Sequence, residues 1–499
     1  MTQPQAHPDT AGARPGVSPL RRALLAASLI ALAASARGWA EYRLAHWNDP
    51  TEALTVVRRG ARPAVPSAPR ASVRRLVFLL LDGVRARDAP KLPGGFATLD
   101  AGVPSMSRPG YHRMMTGVPS WASGVRSNRF AGRARLPTLL DEVRRAGLRP
   151  TFLADQVDWV SRMLGPSAVP PRLGADFERA FARSLAANDL PGSAVFAHFC
   201  GVDHAAHDHG RQSGPYRRAL RTAWRLSREA FEATDPGRDL VAIVSDHGHV
   251  ERGGHGGAES EARSAFLVLR GPRVSDGVRT RGTLEQVGPT IAAAMGIPPP
   301  RAALAPPLKP LVPHVKEDAP GRRARIAPAR AALPPDRWRV RTVVAFSAAL
   351  LALLALVRRR GAAFTIREIA LACAPLAAFA LFHALQRGGP SLSAIRAGTE
   401  YQLWMAGWAL LAYAAHAALV RDPSRILAAV AVSTAPLVAV WARLGVAMGS
   451  DLAHPAWPYI ALVGVAPVAA SCVVAAVFLV VSGFLPSGTR VRGRHSPVG

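Results

Sequence analysis

The sequence predicts an α/β domain with a mostly parallel sheet flanked by helices, joined to an all-α transmembrane region. Three observations carry this expectation. Between residues 74 and 310, short apolar runs bounded by turns alternate with helical patterns. After a second Pro- and Arg-rich stretch come five apolar segments, each close to the roughly 20 residues that span a bilayer. Three of the short apolar runs lead into an Asp, so polar chemistry gathers at strand ends, where open parallel sheets form their crevice.

Taken in order, residues 1–20 are polar and Pro-rich and read as a disordered tail. Arg21 and Arg22 then precede a short apolar run, and residues 21–40 read either as a signal anchor or as a signal peptide ending in Ala34-Ser35-Ala36. Residues 41–73 read as a linker. Within 74–310 the expected strands are 76–81, 151–154, 195–200, 240–244 and 265–269, with helices over 136–146 and 216–233 among them. Residues 311–340 form the second linker. The five spans are expected at 342–357, 369–385, 403–420, 426–448 and 459–485, within a membrane region 341–485, before a basic tail at 486–499. Arg358, Arg359, Arg360, Arg367, Arg421, Arg425, Arg490, Arg492 and Arg494 favour a cytoplasmic side for those loops, which puts the α/β domain outside the plasma membrane. Arg337, Arg339 and Arg341 run against that orientation.

The chain is strongly basic, with a formal net charge of +29. The excess is almost all Arg, scattered through tails, linkers and helices rather than set in a strip with aromatics, so no nucleic-acid partner is expected. Three cysteines without motif spacing give neither a disulfide framework nor a thiolate metal site.

The first chemical signal is Leu79-Leu80-Leu81-Asp82-Gly83, a strand ending on a carboxylate; alone it reads equally well as a turn. The second is Gly201-Val202-Asp203-His204-Ala205-Ala206-His207. Asp203 and His207 are four apart, share a face of a helical turn, and offer the oxygen and nitrogen donors zinc accepts. His204 and His209 are not needed by that spacing. The third is Ser245-Asp246-His247-Gly248-His249, followed by Gly253-Gly254-His255-Gly256-Gly257, whose glycines allow close backbone approach to a metal or phosphate. Buried carboxylates at three strand ends are costly unless cations neutralise them. Ser107, in Pro104-Ser105-Met106-Ser107-Arg108-Pro109, is placed to open a helix; by itself it reads as an N-cap, and beside a dication as a nucleophile.

In this order the motifs resemble the alkaline phosphatase superfamily, within it the phosphodiesterase/nucleotide pyrophosphatase branch. Two stretches, from His198 to His207 and from Ser245 to Gly257, are similar to the catalytic domains of GPI ethanolamine-phosphate transferases. The segment 284–298, with Gly288-Pro289-Thr290 and Met295-Gly296-Ile297-Pro298, is similar to a helix-and-turn signature near the end of such domains. The resemblance implies two divalent metals, a zinc pair in most members. One would be held by Asp203, His207 and His255, the other by Asp82, Asp246, His247 and the nucleophile Ser107. It implies that Asn128 binds a phosphoryl oxygen. It also implies a two-step reaction in which Ser107 attacks phosphorus and water or an acceptor alcohol then releases the group. Ser107 stands where the family often has Thr, His249 where the transferases usually have Met, and five spans are fewer than the eukaryotic transferases carry.

The expected substrate is a phosphoester or phospholipid-type head group at the membrane surface. A sulfatase-like hydrolase or a phosphomonoesterase of the same superfamily is the enzymatic alternative, although Tyr111 occupies the place where the sulfatase signature has Arg. An inactive membrane scaffold is the alternative outside enzymes. The oligomeric state is not encoded in any motif.

Overall fold

The computed structural model describes residues 70–155 and 176–315 apart from a few positions at 129–134. It also describes the strand at 172–173, helical positions between residues 18 and 34, and single residues beyond 392. The five expected spans lie outside the described residues apart from isolated positions. Among the described residues, no helix is long and apolar enough to cross a membrane.

Eight strands are present among the described residues: β1 (Arg75–Leu81), β2 (Gly95–Asp100), β3 (Arg149–Ala154), β4 (Arg172–Leu173), β5 (Ser193–Phe199), β6 (Leu240–Val244), β7 (Ser264–Arg270) and β8 (Arg279–Thr283). They form one sheet in the order β4-β3-β5-β1-β6-β7-β2-β8. Only β7 runs against its neighbours β6 and β2; every other described pair is parallel. The principal helices are α1 (Ser107–Thr116), α2 (Leu139–Arg145), α3 (Phe177–Ala187), α4 (Gly201–His209), α5 (Gly214–Glu232) and α6 (Val287–Met295).

The central strand shows why the sheet is covered on both sides. All seven residues of β1 are buried. Leu76, Phe78 and Leu80 face a core shared with Tyr111 and Met114 of α1, Leu139 of α2 and Ile291 of α6. Val77, Leu79 and Leu81 face the opposite core, with Phe181 of α3, Val202 of α4 and Leu226 of α5. A continuous apolar run is what a parallel strand under two helical layers requires. Each of its six large apolar side chains contributes about 1.5–3 kcal/mol by burial. The seventh residue, Arg75, is equally buried and pairs its Nε with Asp239 at 3.0 Å, at the amino ends of β1 and β6.

Five strands fall within a residue or two of their expected positions. The sequence reading missed β2, β4 and β8. β2 alternates buried and half-exposed residues, and β8 carries Arg, Thr and Gly with no buried position, so neither presents an apolar run. The helix expected over 136–146 begins only at Leu139. Thr138 caps it, its hydroxyl bonded to the Asp141 carboxylate at 2.9 Å.

Candidate active site

The strand order β5-β1-β6 determines the site. Asp82 follows β1 directly, Asp246 lies two residues beyond β6, and Asp203 sits in the first turn of α4, just past β5. Three adjacent parallel strands thus deliver three carboxylates to one crevice, all at their carboxyl ends.

Two donor groups form there and share His247. The first is Asp82, Asp246 and His247; the second is Asp203, His247, His249 and His255; within each, the donor atoms all lie within 4.8 Å of one another. His247 Nε2 is 3.4 Å from Asp82 Oδ1 and 3.3 Å from Asp246 Oδ2. Asp203 Oδ1 lies 3.5 Å from His207 Nε2, 2.9 Å from His249 Nε2 and 3.6 Å from His255 Nε2. His207 reaches Asp203 from one turn along α4, and its side chain is about a third exposed.

Three of these imidazoles are held the same way. Nδ1 of His247 lies 3.2 Å from the Gly248 carbonyl, Nδ1 of His249 lies 3.0 Å from the Gly83 carbonyl, and Nδ1 of His255 lies 2.9 Å from the Ser105 carbonyl. A carbonyl only accepts, so a proton on Nδ1 anchors each ring and turns its Nε2 towards the carboxylates. Backbone anchoring of the second ring nitrogen is the usual way a metal-binding His is oriented.

The electrostatics lead to the same chemistry. Burial, and next the charge of Asp82, push the Asp246 carboxyl well above the usual carboxylate range. Burial works to raise Asp203 too, but the His249 hydrogen bond and the facing imidazoles hold it well below that range. Burial pulls His247 well below the usual imidazole value, lowers His207 likewise, and takes His255 to about 3. Neutral imidazoles are what a metal binds. Asp82 Oδ1 and Asp246 Oδ2 are buried and accept no hydrogen bond among the described residues, an expense that a cation between them removes. The donors present therefore fit a divalent cation.

Ser107 is the first residue of α1, not its N-cap; Met106 holds that place without a side-chain cap bond. Its Oγ lies 3.1 Å from His247 Nε2. Asn128 is exposed, and its Oδ1 accepts the backbone N–H of Arg108 at 3.0 Å, which fixes it one residue from Ser107. The loop before α1 is braced by buried Arg113, which donates to the Pro104 carbonyl at 2.6 Å. Ser105 ties the same loop to the Gly-rich loop: its Oγ donates to the Gly257 carbonyl at 2.9 Å and accepts from Gly256 N–H at 3.0 Å. The Gly-rich loop in turn needs its first glycine. A Cβ at Gly253, whose φ is +98°, would lie 1.7 Å from the Ala206 carbonyl oxygen of α4.

The structure therefore gathers Asp82, Ser107, Asp203, His207, Asp246, His247 and His255 in one crevice, with Asn128 at its rim. It adds four residues that spacing did not single out for the site: Ser105, Tyr111, His198 and His249. Tyr111 donates its hydroxyl to Asp82 Oδ2 and lies 2.7 Å from His198 Nε2. Of these, only His249 left a signal in the sequence, as a second His beside an Asp-His-Gly strand end. His204 stays apart, near Cys200 Sγ at 3.9 Å. Cys200 donates to the Asp155 carbonyl, and burial pushes its thiol up, so it is no nucleophile.

No family model matches the chain, and no curated protein matches it. Among solved structures it is similar to a 2-O GAG sulfatase, at 13% identity and a TM-score of 0.40, over 49% of this chain and 75% of that one. It is also similar to the alkaline phosphatase PafA, at 9% identity and a TM-score of 0.36, over 50% of this chain and 100% of that one. Likenesses this distant say nothing about activity.

Proposed function

We propose that the chain is a metal-dependent phosphoric ester hydrolase or phosphotransferase of the alkaline phosphatase type, acting through a phospho-Ser107 intermediate. The observation that carries this reading is the position of Ser107 Oγ, 3.1 Å from His247, the one imidazole common to both donor groups. Asp82, Asp246 and His247 would hold one ion and Asp203, His207 and His255 the other. Bound there, a zinc pair supplies Lewis-acid polarisation of the ester and a lowered hydroxyl pKa.

The chain's own residues do the rest. Ser107 Oγ sits at the head of α1, 3.1 Å from His247 Nε2. Oγ gives up its proton to solvent and forms a bond to phosphorus, while the ester oxygen leaves with its electron pair and takes up a proton. Attack by water or an acceptor alcohol then restores Ser107. Asn128, held by Arg108 N–H through Oδ1, directs its amide N–H groups at a non-bridging phosphoryl oxygen. Arg113 and Ser105 keep the nucleophile loop in register with the Gly-rich loop.

The apolar segments in 341–485 support a membrane tether, with the catalytic domain on the outer face of the plasma membrane. A substrate at that surface follows: a phosphodiester such as a phosphoethanolamine-type or other lipid-linked head group. A sulfatase-like reading uses the same donors, but Tyr111 stands where its signature Arg belongs. The test is hydrolysis of bis- and mono-nitrophenyl phosphates and of nitrophenyl sulfate by the purified chain and its Ser107→Ala variant, with metal analysis. Phosphate-ester turnover lost in Ser107→Ala, with metal retained, is expected. Turnover of the sulfate ester alone favours the second reading, and full activity in the variant overturns both. Reporter fusions after residues 300 and 360 test the orientation; a cytoplasmic signal from the first overturns it.

A further inference from the structure

We propose that His249 is a third imidazole ligand at the Asp203 site, which then consists of one carboxylate and three imidazoles, those of His207, His249 and His255. The inference rests on the two-cation reading above and concerns only how one of the two sites is built.

The geometry centres on one oxygen. Asp203 Oδ1 has three imidazole Nε2 atoms around it, those of His207, His249 and His255, at 3.5, 2.9 and 3.6 Å. Donors about 2.0–2.2 Å from one tetrahedral zinc lie roughly 3.3–3.5 Å apart, close to the His207 and His255 separations. His249 is nearer, at hydrogen-bond length, and its donor atom lies within 4.8 Å of those of Asp203, His247 and His255. The rings stand edge to face, with centroids 5.5 Å apart for His207 and His249, 4.9 Å for His207 and His255, and 5.2 Å for His249 and His255. That is how rings stand when they converge on a point rather than stack.

His249 has its own reason to need a cation. Its side chain is fully buried. Nδ1 faces the Gly83 carbonyl at 3.0 Å and Nε2 faces the Asp203 carboxylate at 2.9 Å. Both neighbours are acceptors, while a neutral imidazole has one proton. With that proton on Nδ1, Nε2 and the carboxylate oxygen face each other as two donors for one ion, within the donor group Asp203, His247, His249 and His255. A shared ion satisfies both atoms.

A second observation shows that the backbone is arranged for this ring. Gly83 has φ +76°, and a Cβ built on it would lie 2.3 Å from His249 Cε1. The glycine after Asp82 therefore leaves the space that His249 occupies and offers the carbonyl that orients it. Asp82 serves one donor group, and the next residue serves the other.

The functional consequence is a division of labour. Three protein donors leave a catalytic zinc an open position, whereas four close the shell. A closed Asp203 site would hold its ion tightly. The Asp82, Asp246 and His247 site, next to Ser107, would be the one that exchanges ligands during turnover.

The experiment uses the purified full-length chain, stripped of metal, with His249→Gln and His249→Met variants checked for folding by far-UV circular dichroism. Zn2+ and Co2+ are titrated against a competing chelator, and the visible Co2+ spectrum is recorded. Two bound ions are expected for the wild type. One of them should weaken by more than about 100-fold in both variants, beyond the roughly 10–100-fold typical of losing a group that only orients a ligand. The intense visible absorption of four-coordinate Co2+ should fall as well. Unchanged affinity for both ions in either folded variant overturns the inference alone, since Gln can keep a hydrogen bond to Asp203 without replacing an imidazole. If neither variant folds, the wild-type spectrum decides: weak five- or six-coordinate absorption at both sites overturns it. A wild-type chain that binds no divalent ion overturns the proposed function, and this inference with it.

Discussion

Tyr111, four residues into α1, donates its hydroxyl to Oδ2 of Asp82 at the end of β1. The helix that begins with Ser107 thus also holds the carboxylate of the neighbouring donor group. Burial, and next the charge of Asp82, raise the Tyr111 hydroxyl well above the usual phenol range, so it stays a donor. Tyr111→Phe keeps the ring packed but releases Asp82 Oδ2, leaving only His198 Nε2 at 3.2 Å. We expect metal affinity and phosphate-ester turnover to fall about 10–100-fold, as for other groups that orient a ligand, with little change in melting temperature. Chelator competition and thermal scans check both parts.

Ser105→Ala removes both side-chain hydrogen bonds between the nucleophile loop and the Gly-rich loop, at a position with no solvent access. A buried donor and acceptor left unmet cost about 1–3 kcal/mol each. The variant should melt at lower temperature and, because the Ser105 carbonyl orients His255, bind metal more weakly. A variant as stable as the wild type would mean that the two loops are held together elsewhere.

Asp239 should be the most stability-critical carboxylate away from the site. It pairs with Arg74 Nη2 at 2.6 Å and with the fully buried Arg75 at 3.0 Å. Removing one partner of a buried pair costs about 3–5 kcal/mol, because the other charge stays buried. Asp239→Ala should lose that much in denaturant unfolding while the donor groups, at the opposite ends of the strands, keep their metal affinity.

His112 gives a pH dependence with a definite sign. Its ring is fully buried, its Nδ1 has no hydrogen-bond partner among the described residues, and burial, and next the charge of Arg113, take it down to about 3. The unfolded chain takes up this proton near pH 6.5 and the folded chain does not, so stability falls as pH drops from 6.5 towards 3. At pH 5 this group alone should cost about 2 kcal/mol relative to pH 7. His112→Leu should lose correspondingly less over that interval, which denaturant unfolding at the two pH values measures. Equal losses would place the acid sensitivity in other groups.

Much of the sheet was legible in the sequence because its central strands are buried on both faces. An unbroken apolar run such as Leu76 to Leu81, short and bounded by polar residues, reads as a covered strand, and it stops at Asp82. The same logic located Asp246 after β6, and the four-residue spacing of Asp203 and His207 placed both on one face of α4. Strands β2 and β8 were illegible for the opposite reason: β2 alternates buried with open positions and β8, at the sheet edge, buries none, so neither leaves an apolar run.

Local pattern thus determined which residues sit at strand ends and which side chains could bind a metal. Tertiary structure alone decided that β1 lies between β5 and β6, because strand order depends on how two helical layers cover the sheet, not on any local run. That order brings together carboxylates that are 43 and 164 residues apart along the chain, Asp203 and Asp82 each counted from Asp246. It also decided the parts played by Ser105, Tyr111 and His249. Each acts through a partner distant in the chain, Gly257, Asp82 and Gly83, and a contact made across the fold leaves no spacing to read.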